Sequence, residues 1–355
     1  MVNVTARKIK CTSASESNSD DTLRDHLKPA VENFIYRSLG VDIVDRMMRK
    51  EEFSTRMSFQ YSILLDLIST SDFESFKEYI CSYEFYVKSW ISKRIKEYFS
   101  SGSTVCEFEE RRLKSCIGHI NAAIKKATAE KSDNLMTFVV KICTELVDKL
   151  VISQEALDPF MILNKSDQEQ FAHFLKECVQ EMTEALRVKF KITKFEAKLS
   201  QFHIKPEDEL FNRVIGCGKQ CPFCKVPCDA GGENHTQHFA SMHRPRGLGR
   251  YSCDDSRKLM TDICTSLVIS DNRFRCRATK NEWHNYKEYR EIFPDWNIHP
   301  DGSLEASDYW KYVMKTYNKD FAEAYHAEPA DIPDAWKKIT KEEAEESLKK
   351  SFNNK

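Results

Sequence analysis

Residues 211–252 read FNRVIGCGKQCPFCKVPCDAGGENHTQHFASMHRPRGLGRYS, and six glycines and three prolines in these 42 positions break every helical or strand period. Packing of periodic apolar faces cannot hold such a stretch, so another source of cohesion is required. Cys221 and Cys224 enclose Pro-Phe in C-x2-C spacing, the tight turn that lets two thiolates meet one ion. His238 and His243 follow, completing C-x2-C-x13-H-x4-H, within the range of tetrahedral two-Cys two-His zinc sites. A helical turn around Met242 would bring both imidazoles to nearly one face. The expected ligands of one structural Zn2+ are therefore Cys221, Cys224, His238 and His243. Cys217, Cys228 and His235 lie close enough to replace one of them, and a three-Cys one-His set using Cys228 is the chief rival. The surplus donors could instead hydrogen-bond to the ligands from outside.

Working outward, the cysteine distribution supports metal over disulfide. Of 13 cysteines, Cys11, Cys81, Cys106, Cys116, Cys143 and Cys178 are scattered through helical patterns, where they read as small buried hydrophobes. The other seven fall between Cys217 and Cys276. Met1 to Asp21 is polar and Ser-rich without an apolar core, so no secretory signal is read there, and no stretch is long and apolar enough to span a bilayer. An intracellular, reducing setting is expected. With 54 Lys and Arg against 55 Asp and Glu, the net charge of -1 removes the broad basic field of a nucleic-acid coat protein. Nucleic-acid binding is a minor alternative, to be supported if Arg244, Arg246 and Arg250 share one face with Lys225. A zinc-dependent enzyme is the other alternative. It would need an open coordination position with Asp229 or Glu233 beside it, and neither H-E-x-x-H nor the deaminase H-x-E with P-C-x-x-C occurs. The Gly218-Lys219 pair lacks the rest of a phosphate-binding loop, so no nucleotide site is expected.

Before residue 205 only Pro29, Pro159, Gly40, Gly102 and Gly118 interrupt the chain, which favours long helices. Apolar stripes at Phe59, Ile63, Leu64, Leu67 and Ile68, at Leu135, Phe138, Val139, Ile142, Leu146 and Leu150, and at Phe171, Phe174, Leu175, Cys178, Met182, Leu186 and Phe190 agree. Helices are expected near 22–38, 41–50, 54–69, 72–99, 106–130, 133–151 and 167–200. Ser71 with Glu74 and Ser166 with Glu169 have capping-box spacing. After Leu259 the chain becomes aromatic-rich, with a helix expected from 304 to 327 and a last one from Thr340, boxed by Glu343. The tail aromatics read as core before they read as an exposed patch. The expected architecture is mainly α: a disordered segment 1–21, an elongated antiparallel helical bundle or stalk 22–205, and a zinc-binding module with a helical tail 206–355.

The runs CPFCKVPCDAGGENHTQHFASMHRPRGLGRY, NEWHNYKEYREIFPDW, ASDYWKYVM and AEPADIPDAWKKITKEEA resemble the C-terminal region of the interferon-inducible very large GTPase family, which includes the up-regulator of cell proliferation. The resemblance is close from about residue 211 onward and looser before it. It implies that GTP binding and hydrolysis belong to an upstream domain absent from this segment. It further implies a cytosolic and nuclear setting and a link to innate immunity, and it maps no catalytic residue onto this chain. Together these readings predict a non-enzymatic scaffold acting through protein partners or self-association.

Overall fold

A computed structural model describes residues 27–353 except 131, 133, 148–149, 151–167 and 233. The first helices are α1 (27–47), α2 (Glu51–Ser54), α3 (Arg56–Thr70), α4 (Phe73–Cys81) and α5 (Tyr83–Tyr98). Then come α6 (Ser103–Ala129), α7 (Leu135–Leu146), α8 (Gln168–Ile192), α9 (Phe195–Gln201) and α10 (Pro206–Val214). The remainder mixes β1 (His238–Phe239), α11 (Cys264–Leu267), β2 (Arg273–Phe274), β3 (His284–Asn285), α12 (Tyr289–Ile292) and β4 (Trp296–Asn297). Four helices close the chain: α13 (Asp308–Thr316), α14 (Asn318–Tyr325), α15 (Asp334–Lys337) and α16 (Lys341–Asn353). The described chain is mainly helical, as the apolar periodicity predicted.

The departures from expectation are local and have causes. Gly40 does not end a helix: α1 runs through it, and the glycine serves a close approach, since a Cβ there would meet the Ile204 side chain at 3.3 Å and its carbonyl oxygen more closely still. The single helix expected over 72–99 is broken at Ser82, whose ψ of 52° leaves the helical region while its N–H still bonds the Glu78 carbonyl at 2.8 Å. The cap there is one residue late. Ser71 ends α3 in the left-handed region (φ 52°), and Asp72 accepts the Ser75 N–H at 2.9 Å. The 304–327 helix divides at Tyr317 into α13 and α14. At Thr340 the capping box forms as expected: its hydroxyl accepts from the Glu343 N–H at 3.2 Å, and the carboxylate accepts the Thr340 N–H at 2.8 Å. The Ser166–Glu169 pairing and segment 1–21 lie outside the described residues.

The chain forms two compact units. The first joins α1 as far as Val44 with residues 96–206. Here α6 packs against α7 and α8, burying Leu113, Ile120 and Ile124 against Phe138, Ile142, Leu175, Met182 and Leu186. Phe138 and Phe171 meet edge to face at 6.2 Å. Lys198 and Glu109, 3% and 1% exposed, pair at 2.8 Å inside this unit, and the ammonium also donates to the Phe190 carbonyl at 2.7 Å. Burial raises the Glu109 pKa, and the Lys198 ammonium opposes that rise.

The second unit joins 45–95 with 207–355. The chain thus passes between the units at 44/45, 95/96 and 206/207, and helices α2 to α4 and most of α5 belong to the same unit as the Cys/His segment. Within it α3 packs against α2 and α16, and α13 against α15 and α16. The stripe Phe59, Ile63, Leu64, Leu67 and Ile68 is buried. Of the tail aromatics, Tyr286, Tyr289, Trp296, Tyr309, Trp310 and Phe321 are buried and Trp283 is exposed.

Candidate metal centre

Residues 217–228 form a compact knuckle because its turn is closed by the backbone. The Cys221 N–H bonds the Val226 carbonyl at 2.8 Å, the Lys225 N–H bonds the Cys221 carbonyl at 3.0 Å, and Lys225 takes φ 61° to complete the reversal. Phe223 at its tip is fully buried, with its ring 4.9 Å from Tyr286, 5.0 Å from Phe274, 5.7 Å from Phe293 and 5.8 Å from Tyr251. The sequence reading left this stretch without an apolar interior. It has one, supplied by residues 251–298. Gly249 passes so near the knuckle that a Cβ there would lie 2.9 Å from Cys224 Cα.

Arg244 locks the knuckle, and Arg246 is buried among the rings around it. Arg244 is fully buried: Nε donates to the Cys224 carbonyl at 2.8 Å, Nη2 donates to the Lys225 carbonyl, and the guanidinium lies 4.7 Å from the Trp310 ring. Arg246 makes a two-pronged bond to Asp262, 2.7 Å on each side, and is 5% exposed. Two of the three arginines on which a basic face would depend are thus committed to the interior.

Three of the four expected ligands converge. Cys221, Cys224 and His243 meet Cys264, all four buried, with one donor atom from each within 4.8 Å of the others. Cys264 was not anticipated from sequence; it opens α11, 21 positions beyond His243. Two sulfurs bound to one tetrahedral zinc at 2.3 Å stand about 3.8 Å apart, and a sulfur and a nitrogen about 3.6 Å. Here Cys221 Sγ and Cys264 Sγ are 3.8 Å apart, and Cys224 Sγ lies 3.2 Å from His243 Nδ1. A disulfide would need sulfurs at about 2.0 Å. His243 Nε2 is buried and meets no hydrogen-bond partner. Burial opposes ionisation of Cys224, but hydrogen bonds from Cys221 and Cys264 and the adjacent imidazole outweigh it and hold the thiol well below its usual pKa. Burial likewise disfavours the His243 cation, yet the sulfurs of Cys224 and Cys221 raise its pKa to about 10. Three soft sulfur donors and one imidazole, all buried, could hold a metal ion, and this donor set is one that zinc accepts.

His238 is not in this group. It lies with Cys217, Cys228 and His235, the three donors considered as replacements. The reason is backbone direction. The segment is not helical between the histidines; His238 begins β1, which pairs in parallel with β4, placing His238 opposite Trp296. Its ring therefore leaves the chain on a different course from that of His243. Asp229, the carboxylate considered for an enzyme, accepts the Ser241 N–H at 2.7 Å and stands 3.9 Å from Arg56.

Fold and site together define a mainly helical protein carrying a Cys/His-rich module. Residues 217–348 match the family model described as "Interferon-induced very large GTPase 1, C-terminal domain", the family that the sequence resembles. The human protein named interferon-induced very large GTPase 1 is 28% identical over 359 residues, covering 98% of this chain and 15% of the relative. The mouse protein of the same name is 28% identical over 369 residues, covering 97% of this chain and 14% of the relative. The chain thus spans about one seventh of the length of these relatives. No solved structure matches it. Among the described residues no helix is long and apolar enough to cross a membrane.

Proposed function

We propose that this chain is a non-catalytic, zinc-stabilised interaction region, serving within a very large GTPase as an assembly element rather than as the site of chemistry. The observation that carries the reading is the buried set Cys221, Cys224, His243 and Cys264. Four protein donors leave no position for a substrate or an activated water, which is the arrangement of structural rather than catalytic zinc. The ion would tie the knuckle to the 243–249 turn and to α11. The burial of Arg244 and Arg246 supports protein contacts over nucleic-acid contacts, because charges paired inside cannot neutralise phosphates. GTP binding by the parent, a cytoplasmic and nuclear setting, a link to innate immunity, and self-association or protein partners belong to the same proposal and rest on the family likeness.

Zinc analysis of the reduced, purified chain tests it, alongside Cys224→Ser. The wild type should carry zinc, and the variant should lose the ion of this cluster and expose 211–264 to proteases while α6 to α8 stay protected. Unchanged zinc content in the variant, or metal-dependent hydrolytic turnover by the wild type, would contradict the reading.

A further inference from the structure

Cys217, Cys228, His235 and His238 form a second set of donors that shares no residue with the first, and one atom from each lies within 4.8 Å of the others. Cys217 Sγ is 3.7 Å from His238 Nδ1, Cys228 Sγ is 3.5 Å from His235 Nε2, and the two imidazole nitrogens are 3.1 Å apart. Sulfur and nitrogen ligands of one tetrahedral zinc should stand about 3.6 Å apart, and two nitrogens about 3.3 Å. Each observed edge lies within a few tenths of an ångström of those lengths.

The surroundings are built to hold these donors. The Lys219 N–H points at Cys217 Sγ at 3.4 Å and the Ala230 N–H at Cys228 Sγ at 3.3 Å, so backbone donors already fix where both sulfurs sit. His235 Nδ1 faces the Gly232 carbonyl at 2.9 Å, so that nitrogen carries the proton and Nε2 is left with a free lone pair aimed at the cluster. His238 Nε2 is directed at Asp295 Oδ2, 3.7 Å away. Arg56 of α3 fixes the loop by donating to the Ala230 carbonyl at 2.7 Å and to the Cys228 carbonyl. Gly216, at φ 72°, lets the chain entering Cys217 pass close to Gly232, whose Cα a Cβ would meet at 2.9 Å.

We propose that this second cluster is a zinc site in its own right, so that the module holds two ions per chain. The order of donors makes the sites interleave: Cys217 serves the second site, Cys221 and Cys224 the first, Cys228, His235 and His238 the second, and His243 and Cys264 the first. Each ion therefore closes loops that contain ligands of the other. The donor sets also differ in chemistry, three sulfurs and one nitrogen against two of each, and His235 is only partly buried, so a chelator reaches the second ion first.

Zinc stoichiometry decides the matter. The wild-type chain should bind two zinc ions, a Cys217→Ser/Cys228→Ser double variant one, and a Cys221→Ser/Cys264→Ser double variant one. X-ray absorption at the zinc edge needs no variant: five sulfurs shared by two ions should give an average between two and three sulfurs per zinc, at about 2.3 Å. A single zinc with three sulfurs and one nitrogen, retained by Cys217→Ser/Cys228→Ser, would overturn this proposal and leave the first site standing. A single zinc with two sulfurs and two nitrogens, lost from that variant, would support this site and sink the first. A chain without zinc would sink both.

Discussion

The packing of α6, α7 and α8 and the packing of residues 211–298 solve the same problem by different means. In the helices, apolar residues recur every three or four positions, so the sequence itself states which face is inside. In the module, Cys and His donors of two groups alternate along the chain, and one aromatic ring, Phe223, is inserted among rings that arrive 28 to 70 residues later. The first arrangement tolerates local error. The second depends on crossing points, and its failures should be larger and more concerted.

That difference can be broken or sharpened by substitution, read by site-resolved hydrogen exchange because the chain forms two units. Phe223→Ala removes the ring at the centre of the module and should cost about 3–5 kcal/mol there, with zinc affinity falling in parallel and α6 to α8 unaffected. Leu175→Ala in α8 should cost about 2–5 kcal/mol in its own unit and leave the zinc content unchanged. If zinc content fell as well, the contrast between the regions would be false. Gly249→Ala forces the turn away from Cys224 and should cost about 1–3 kcal/mol, with faster metal release though no ligand has been altered.

What could be read from the sequence follows the same division. The buried stripes of α3, α7 and α8 were legible because helical periodicity is local, and so was the Thr340 box. The closeness of Cys221 and Cys224 was legible because C-x2-C spacing by itself builds the knuckle. His238 falls in the other donor group because its direction is set by pairing with β4, nearly sixty residues away, which no local pattern reveals. Cys264 was missed for a related reason: it reaches the knuckle only after the 246–262 segment folds back, with Gly247 N–H bonding the Met260 carbonyl at 2.8 Å. A signal did exist in the surplus of donors. Cys217, Cys228 and His235 were more than one tetrahedral ion could use, and counting them against four positions would have pointed to a second site. The apolar interior of the knuckle was invisible because its other walls come from the tail.

The central claim is that metal, together with Phe223 and its neighbours, holds 211–264 in place. It is tested most directly by hydrogen exchange on the reduced chain before and after complete zinc removal, verified by metal analysis. Protection at Cys221, Cys224, His243 and Cys264 should collapse while α6 to α8 keep theirs. Protection in 211–264 that survives in a chain proven free of metal would contradict the account.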